Sequence, residues 1–206
     1  MAIGAPATNP ASDLELKLPA TVGTANQYLK NSSTPGTLEF GSLSAGKVLQ
    51  VKTGTKTGTQ SIGGGSYSDV GGMTATITPA STDSRILIII ALGRMNGSTD
   101  SAGFKIVRTP SGGSAIDVGI GDAASNRPRV SFMATRWDIS ASHGTGLSYS
   151  WLDHPNSTTA QAYKLQCFPQ GDYWQINRNE QYFDGSDIYH AVAASHFTLI
   201  EVSDLS

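Results

Sequence analysis

Histidine and cysteine are the side chains in this chain best suited to holding a metal ion. His190 and His196 lie six residues apart, so they would share one face if a single strand joined them. However, the sequence contains no HxH or HExxH pattern and only one cysteine, Cys167, whereas zinc sites are built from closely spaced pairs of such ligands. We therefore predict no metal site within one chain, although a threefold axis could bring three copies of one histidine together.

Carboxylates are the next candidates for chemistry, and the last third of the chain carries many of them. A glycoside hydrolase needs two carboxylates held about 5–10 Å apart in a cleft, a distance that sequence spacing does not reveal. A GxSxG elbow, which would position a nucleophilic serine, is absent from the sequence. We predict no catalytic residues and keep a polysaccharide hydrolase as an alternative. Its candidate carboxylates are Asp153, Asp172, Glu180, Asp184 and Asp187.

Two glycine-rich segments could suggest nucleotide binding. Residues 119–124, GIGDAA, match the loose GxGxxA pattern after a strand-like AIDV. A dinucleotide site needs a helix next, but SNRPRV follows, with Pro128 inside it. The glycines at 63–65 lack the Lys-Ser/Thr pair of a phosphate loop. We therefore predict no cofactor.

The composition excludes several classes of partner. Charged residues make up 15% of the chain and the net charge is −2, with no basic patch, so we predict no nucleic-acid binding. The longest apolar run, Ile86 to Leu92, has seven residues and is too short to span a bilayer. The first residues, MAIGAPATNP, lack the charged and apolar regions of a secretion signal.

Alternating apolar and polar residues dominate the chain from Lys47 onward. We predict eight to ten strands with no amphipathic helix, a pattern typical of an antiparallel β-sandwich or jelly roll. The apolar run at 86–92 predicts a central strand covered on both faces, and Cys167 in YKLQCF is predicted to be a small buried strand residue. Residues 53–72 are predicted to be a loop-rich, mobile hairpin.

The first part of the chain differs from the rest. Residues 1–17 have two prolines, many alanines and no clear apolar face, which predicts an extended segment that is ordered only by a partner. Residues 24–30 are predicted to form a helical turn or a bent loop. We therefore divide the chain into an N-terminal arm, residues 1–44, and a β-domain, residues 45–206.

Aromatic residues are concentrated toward the C-terminus. Exposed aromatics beside amides and carboxylates could stack on sugar rings, and the same residues could instead be core or subunit-interface anchors. Residues 179–186, NEQYFDGS, form the best candidate recognition loop, and within it we select Tyr182, Phe183 and Asp184. The other aromatics of this region are Trp137, Tyr149, Trp151, Tyr173, Trp174 and Tyr189.

One segment resembles a phrase that recurs in tail-fibre and related virion proteins of marine tailed bacteriophages, especially cyanophage-like ones. The segment is LELKLPATVGTANQYLKNSSTPGTLEF, residues 14–40. In the recurrent phrase an LP pair is followed by GTxxQxL and by a short strand that ends in an aromatic residue. Here those positions are Leu18-Pro19, Gly23-Thr24, Gln27, Leu29 and Phe40.

The β-domain resembles the C-terminal domains of the same proteins, because a series of short landmarks occurs in the expected order. They include a central strand, a hydrophobic-Asp-x-Pro corner and a closing T-hydrophobic-hydrophobic-E strand. The landmarks are SRILIII (84–90), FKIVR (104–108), WLDHP (151–155), YKLQ (163–166), INR (176–178) and FTLIEV (197–202).

The resemblance implies a noncatalytic virion protein, and specifically a short tail fibre or a tail-associated knob. The domain would be a homotrimeric sandwich of the jelly-roll or C1q/TNF-like type. The arm would dock on another virion protein by strand addition, and Tyr182, Phe183 and Asp184 would contact a host-surface glycan or protein. The protein would be assembled in the bacterial cytoplasm, with the tail favoured over the head. A capsid decoration protein without a receptor role is the first alternative, and a virion-borne polysaccharide hydrolase is the second.

Overall fold

The computed structural model describes residues 17–25, 27–42, 47–97, 101–135, 144–178 and 191–203. Within these ranges the chain forms β-strands, turns and irregular segments, without an α-helix. Every pair of strands in the sheets is antiparallel. The prediction of an all-β antiparallel protein is therefore confirmed.

The chain divides into two compact units, residues 1–45 and residues 46–206. In the smaller unit, β1 (Gln27–Asn31) pairs with β2 (Leu38–Ser42). Lys17 adds an isolated parallel bridge to Thr37. The helical turn or bent loop predicted at 24–30 is wrong for most of that segment, because Gln27 to Lys30 lie in β1 and pair with residues of β2.

The larger unit contains eleven of the described strands. They are β3 (Val48–Lys56), β4 (Gln60–Gly63), β5 (Ser68–Ile77), β6 (Arg85–Gly97), β7 (Ser101–Pro110), β8 (Ile116–Val118), β9 (Phe132–Thr135), β10 (Thr145–Asp153), β11 (Gln161–Pro169), β12 (Tyr173–Ile176) and β13 (Ser195–Val202).

These strands form two sheets. The first sheet has the order β3-β13-β6-β12-β4, and β10 also pairs with β6. The second sheet has the order β5-β11-β7-β8, and β9 also pairs with β7. The long strand β6 is central in the first sheet because β10 lies along one side of it, and β13 and β12 share the other side.

One hydrophobic core joins the two sheets. Ile86, Ile88 and Ile90 of β6 are fully buried and belong to the same cluster as Tyr163 and Leu165 of β11. The inward side chains alternate with more exposed ones along both strands, as expected for strands with one face against a core. Each buried aliphatic side chain contributes about 1.5–3 kcal/mol. The arrangement is consistent with a β-sandwich.

Residues 53–72 are more regular than the predicted loop. β3 continues to Lys56, β4 follows, and β5 begins at Ser68, because the glycines and threonines alternate with inward apolar residues such as Ile62 and Val70. Gly54 allows β3 and β5 to approach closely, since a Cβ there would lie 2.1 Å from the carbonyl oxygen of Thr74. The two sheets therefore come together along this edge.

Candidate functional site

The predicted recognition residues Tyr182, Phe183 and Asp184 lie outside the described residues. The structure describes the two strand ends from which their loop departs and to which it returns. The loop follows Arg178 and the description resumes at Ala191. The described part of this site is therefore the base of the candidate recognition loop, at Arg178 and Ala191.

Asn177 is the centre of this base. Its side chain is fully buried, and Nδ2 donates to the carbonyl oxygens of Lys56 at 2.8 Å and Gly58 at 3.1 Å. Its backbone has a φ of 63°, a left-handed conformation that asparagine adopts more readily than most residues. Asn177 therefore turns the chain out of β12 and binds that turn to the end of β3.

Ser195 connects the other end of the loop to Asn177. Its Oγ donates to Asn177 Oδ1 at 2.5 Å and accepts a hydrogen bond from the Gly93 amide at 3.0 Å. The Ala193 amide donates to the Asn177 carbonyl at 3.2 Å. Gly93 must be small here, because a Cβ would lie 2.2 Å from the Ala194 carbonyl oxygen. Both ends of the loop are thus bonded to one buried asparagine.

The role of Asn177 did not emerge from the sequence, which marked it only as the centre of the INR landmark. Asparagine directly after a strand-like YWQI segment is a usable signal, because asparagine is favoured where a turn needs positive φ. The hydrogen-bond partners of Asn177 could not be predicted from the sequence in the same way. Ser195, Lys56 and Gly58 are distant in sequence, and only the sheet topology brings them together.

Asp153, the first of the candidate catalytic carboxylates, is engaged in an ion pair. Its Oδ2 accepts hydrogen bonds from Arg108 Nη1 at 2.7 Å and from the Tyr163 hydroxyl at 2.7 Å. The side chains of Asp153 and Arg108 are 13% and 11% exposed. Burial, with the nearby Asp153 charge, raises the pKa of Tyr163 strongly, so the phenol stays protonated as a donor. This cluster links the first sheet to the second.

The remaining candidate carboxylates do not form a pair among the described residues. Asp172 is exposed in the turn after β11, whereas Glu180, Asp184 and Asp187 lie outside the described residues. Glu201, which the sequence marked only as part of the FTLIEV landmark, is fully buried in β13. Its Oε1 accepts the Ala80 amide at 2.7 Å and its Oε2 accepts Gln50 Nε2 at 2.5 Å.

Glu201 stays ionised despite its burial. Burial alone would raise the pKa of its carboxyl, but the hydrogen bonds from Gln50 and the Ala80 amide, with the influence of the neighbouring Ser84 hydroxyl, outweigh burial and lower it. These bonds hold the turn after β5 against β13 and β3. Both hydrogen bonds described above are donated to its carboxylate, which indicates a structural role for Glu201.

The described histidines do not approach each other as a metal site. His154 Nε2 lies 2.9 Å from the Thr82 carbonyl oxygen, and His196 is exposed on β13. His143 and His190 lie outside the described residues, so the shared face predicted for His190 and His196 is untested. In the part of the chain that the structure describes, no three His, Cys, Asp or Glu side chains are grouped as ligands.

The described tryptophans divide between core and surface. Trp174 is 1% exposed and belongs to the core, whereas Trp151 is 42% exposed and its ring packs against Gly119. Tyr149 stacks on Phe132 with ring centroids 4.6 Å apart. Trp151 is therefore the described tryptophan that could reach a ligand, while Trp174 matches the interpretation of these residues as core anchors.

A small apolar cavity lies beside β9 and the end of β11. It has a volume of about 150 Å³, enough for a short aliphatic or ring fragment. Ser101 Oγ donates to Gln170 Oε1 at 2.6 Å beside it, so the polar groups at its edge already bind each other. The lining residues are Ser101, Gly103, Pro128, Val130, Met133, Phe168 and Gln170.

Comparison of the chain with protein-family models and with curated protein sequences gave no match.

Among the described residues, no helix has the length and apolar character required to cross a membrane.

Proposed function

We propose that this chain is a noncatalytic structural protein of a tailed-phage virion, either a short tail fibre or a tail-associated knob. Residues 1–44 attach it to another virion protein. The β-domain is a homotrimeric jelly-roll or C1q/TNF-like sandwich that presents its loops to the host surface. The loop that contains Tyr182, Phe183 and Asp184 makes the host contact.

The observation that carries this proposal is the character of the smaller unit. The segment before its two short strands exposes apolar side chains: Leu18 is 71% exposed and Val22 is 92% exposed. Tyr28 and Leu29 in β1 are also exposed. An isolated two-stranded hairpin is marginally stable in water, so a unit of this kind gains most from a partner that covers its apolar residues. An attachment arm is expected to need such a partner, which covers its exposed apolar residues.

The larger unit has the properties of a rigid presenting domain. Several of its buried polar side chains are bonded within the domain, as in the Arg108–Asp153 pair between the sheets and the Glu201 cluster. The loop base at Asn177 and Ser195 fixes the two ends of the candidate recognition loop at one point. A loop held at both ends loses less conformational entropy on binding than a free one, and a homotrimer would present three copies of it.

A capsid decoration protein is the second candidate, since an arm with exposed apolar residues could equally dock on a head protein. The two candidates differ in where the arm attaches. A polysaccharide hydrolase is the third candidate. Asp153 is unsuited to general acid or base catalysis because its charge is already paired with Arg108 and hydrogen-bonded by Tyr163.

The first test is localisation of the protein on purified virions by cryo-electron microscopy with a labelled C-terminus. Density at the tail or its fibres supports the tail proposal, and density on the head supports the decoration protein. Absence of the protein from the particle overturns both. In that case the protein would be assayed for polysaccharide hydrolysis.

The second test concerns the arm. Removing residues 1–45 should leave a folded β-domain that is no longer incorporated into particles, as measured by circular dichroism and by quantitative immunoblot of purified virions. The full-length double variant Leu18→Ala, Val22→Ala should also lose incorporation. The matched control, Thr21→Ala with Thr24→Ala, truncates neighbouring polar side chains and should be incorporated normally. Normal incorporation of the apolar variant would overturn the assignment of the arm.

A further inference from the structure

The outer face of the first sheet is apolar although it points away from the core. The cross-strand partners Val51, Ile200, Leu87 and Leu152 form a row across β3, β13, β6 and β10. Their inward neighbours Leu199 and Ile88 are fully buried. The row therefore projects from the side of the sheet that does not face the second sheet.

Neighbouring rows extend this surface, which we call the aliphatic face. The next row toward the C-terminal end of β6 contains Thr53, Thr198, Ile89 and Ser150, followed by Thr55, His196, Ala91 and Ser148. On the opposite side of the central row, Val202 is the cross-strand partner of Val48 on β3 and of Arg85 on β6. Val48, Val51 and Leu152 are 56%, 51% and 44% exposed, and Leu87, Ile89 and Ile200 are half-buried.

The second sheet provides the contrast. Its outward side chains include Lys164, which binds Asp69 at 2.9 Å, and Lys105, which binds Asp117 at 3.1 Å. Gln166 Nε2 also donates to Asp69 at 2.8 Å. The outer face of the second sheet therefore carries charged side chains that interact well with water. In the rows named above, the aliphatic face has one charged residue, Arg85, which lies at its end. A solvated sheet normally alternates apolar and polar residues, and β6 departs from that rule.

We propose that the aliphatic face is a self-association surface, covered by another copy of this chain. The inference rests on the proposed function, in which the protein assembles as a homo-oligomer, and it assigns the surface through which it does so. The prediction that β6 is covered on both faces is wrong for the single chain, and a second copy would cover the outward face. Within one chain its outward residues are only half-buried.

The chemistry of the face favours a copy of itself over other partners. The rows named above contain no amide or carboxylate, and their one ring is the exposed imidazole of His196, so they lack the combination of aromatic and amide or carboxylate groups that recognises sugars. The face has no cluster of lysine or arginine that would select a phosphate or an anionic surface. Val, Leu and Ile side chains with small threonines and serines are complementary to the same set of residues on a second copy.

The size of the face fits the apolar centre of a stable interface. Four strands at about 4.8 Å spacing and a length of about 20 Å along the strands give about 400 Å² per copy. Two copies would bury about 800 Å² of apolar core, and a polar rim would bring the total toward the roughly 1,200–2,000 Å² of a specific complex. An apolar patch of this size is unusual on a monomer unless it is functional.

The face is also shaped to receive a side chain. A shallow depression of about 320 Å³ lies between β6 and β10. The small Ser148 and Ser150 lie beside the larger Leu87 and Ile89 there, and Tyr149 also lines the depression. Leu152 and Val51, at the two ends of the central row, are the exposed residues that could fill the depression of a neighbour.

Sedimentation velocity of the full-length chain over a wide concentration range tests the proposal. The variants are Val51→Glu, which lies on the exposed edge strand, and Leu87→Glu at the centre of the face. The matched control is Ala162→Glu on β11, an exposed outward position of the second sheet. Circular dichroism shows whether each variant folds. If Leu87→Glu fails to fold, Val51→Glu still tests the inference.

The wild type and Ala162→Glu should form the same oligomer. Val51→Glu and Leu87→Glu should weaken it by about 100-fold or more, because like charges would face each other across the interface. A monomeric wild type at the highest concentration, or an unchanged oligomer in folded Val51→Glu and Leu87→Glu, overturns the inference. A dimer would support the face but contradict the proposed trimer, and incorporation of the same variants into virions tests the proposed function separately.

Discussion

Tyr163 lies directly opposite Arg108 in the pair of β11 with β7, and both side chains donate to Oδ2 of Asp153 on the other sheet. A single carboxylate oxygen therefore joins two strands of the second sheet to β10 of the first. Both charged side chains are mostly buried, so each depends on the other to offset the cost of leaving water.

Replacing Asp153 with asparagine should destabilise the protein by about 3 kcal/mol, because Arg108 would be left as a nearly buried charge without its counter-ion. Urea unfolding measures the change. The matched control is Asp172→Asn, whose carboxylate is exposed in a turn and whose replacement should change stability by less than about 0.5 kcal/mol. Equal effects of the two substitutions would contradict the structural role of the Arg108–Asp153 pair.

Asn177→Ala should destabilise the domain by about 2–4 kcal/mol, since it removes three hydrogen bonds of a buried side chain and leaves alanine at positive φ. Hydrogen exchange should show faster exchange at the amides of Gly93 and Ala193. Asn156→Ala is the matched control, because Asn156 also has a positive φ of 49° but is exposed. Its cost should be about 1 kcal/mol or less.

If hydrogen exchange at Ala193 and Gly93 is unchanged in folded Asn177→Ala, the loop ends are held by something other than this asparagine. The proposal of a pre-organised recognition loop would then lose its structural basis. If the Asn156 variant is as unstable as the Asn177 variant, the cost comes from the backbone conformation alone.

The strands were predictable where hydrophobic alternation is strong. The segments around Ile86, Leu165 and Leu199 were each predicted as strands and lie in β6, β11 and β13. Alternation failed at 53–72, where glycine and threonine carry little hydrophobic signal. The strands there form because Ile62 and Val70 enter the core.

The contacts between distant residues were not predictable. The sequence did not distinguish Asp153 from the other carboxylates in the last third of the chain. Its ion pair with Arg108 depends on how the two sheets are stacked. Glu201 is the one charged residue in the otherwise apolar pattern of its strand. The groups that donate hydrogen bonds to its carboxylate come from β3 and from the turn after β5. Sequence pattern specifies which face a residue occupies, but topology decides what it meets there.

Cys167 should be inert in the folded protein. It is fully buried in β11, as predicted, and burial raises the pKa of its thiol to about 12. Because the thiolate is the reactive form, labelling at neutral pH should be about 1,000-fold slower than for an exposed cysteine and should reach completion in urea. Ser114→Cys, in the exposed turn after β7, is the positive control. Native labelling of Cys167 at the rate of that control would contradict its burial.

Glu201 should make the stability of the domain depend on pH in the acid range. Burial opposes ionisation, but hydrogen bonds from Gln50 and Ala80, with the neighbouring Ser84 hydroxyl, hold the pKa of Glu201 below its ordinary value of 4.5. The folded protein therefore binds fewer protons than the unfolded chain in this range, and stability rises with pH there. The contribution of Glu201 is complete above pH 4.5 and is lost as the pH falls through the lower folded-state pKa.

Glu201→Gln should consequently be less stable than the wild type at about pH 7, and the difference should narrow as the pH is lowered toward about 3. Asp69, whose pKa is also lowered by Gln166 and Lys164 despite partial burial, is present in both proteins and cancels in the comparison. Asp172→Asn, which replaces an exposed carboxylate in a turn, is the control. Urea unfolding at a series of pH values measures all three proteins. A difference between wild type and Glu201→Gln that stays constant across this range would show that Glu201 is not ionised in the folded state, and its carboxyl would then act as a neutral hydrogen-bonding group.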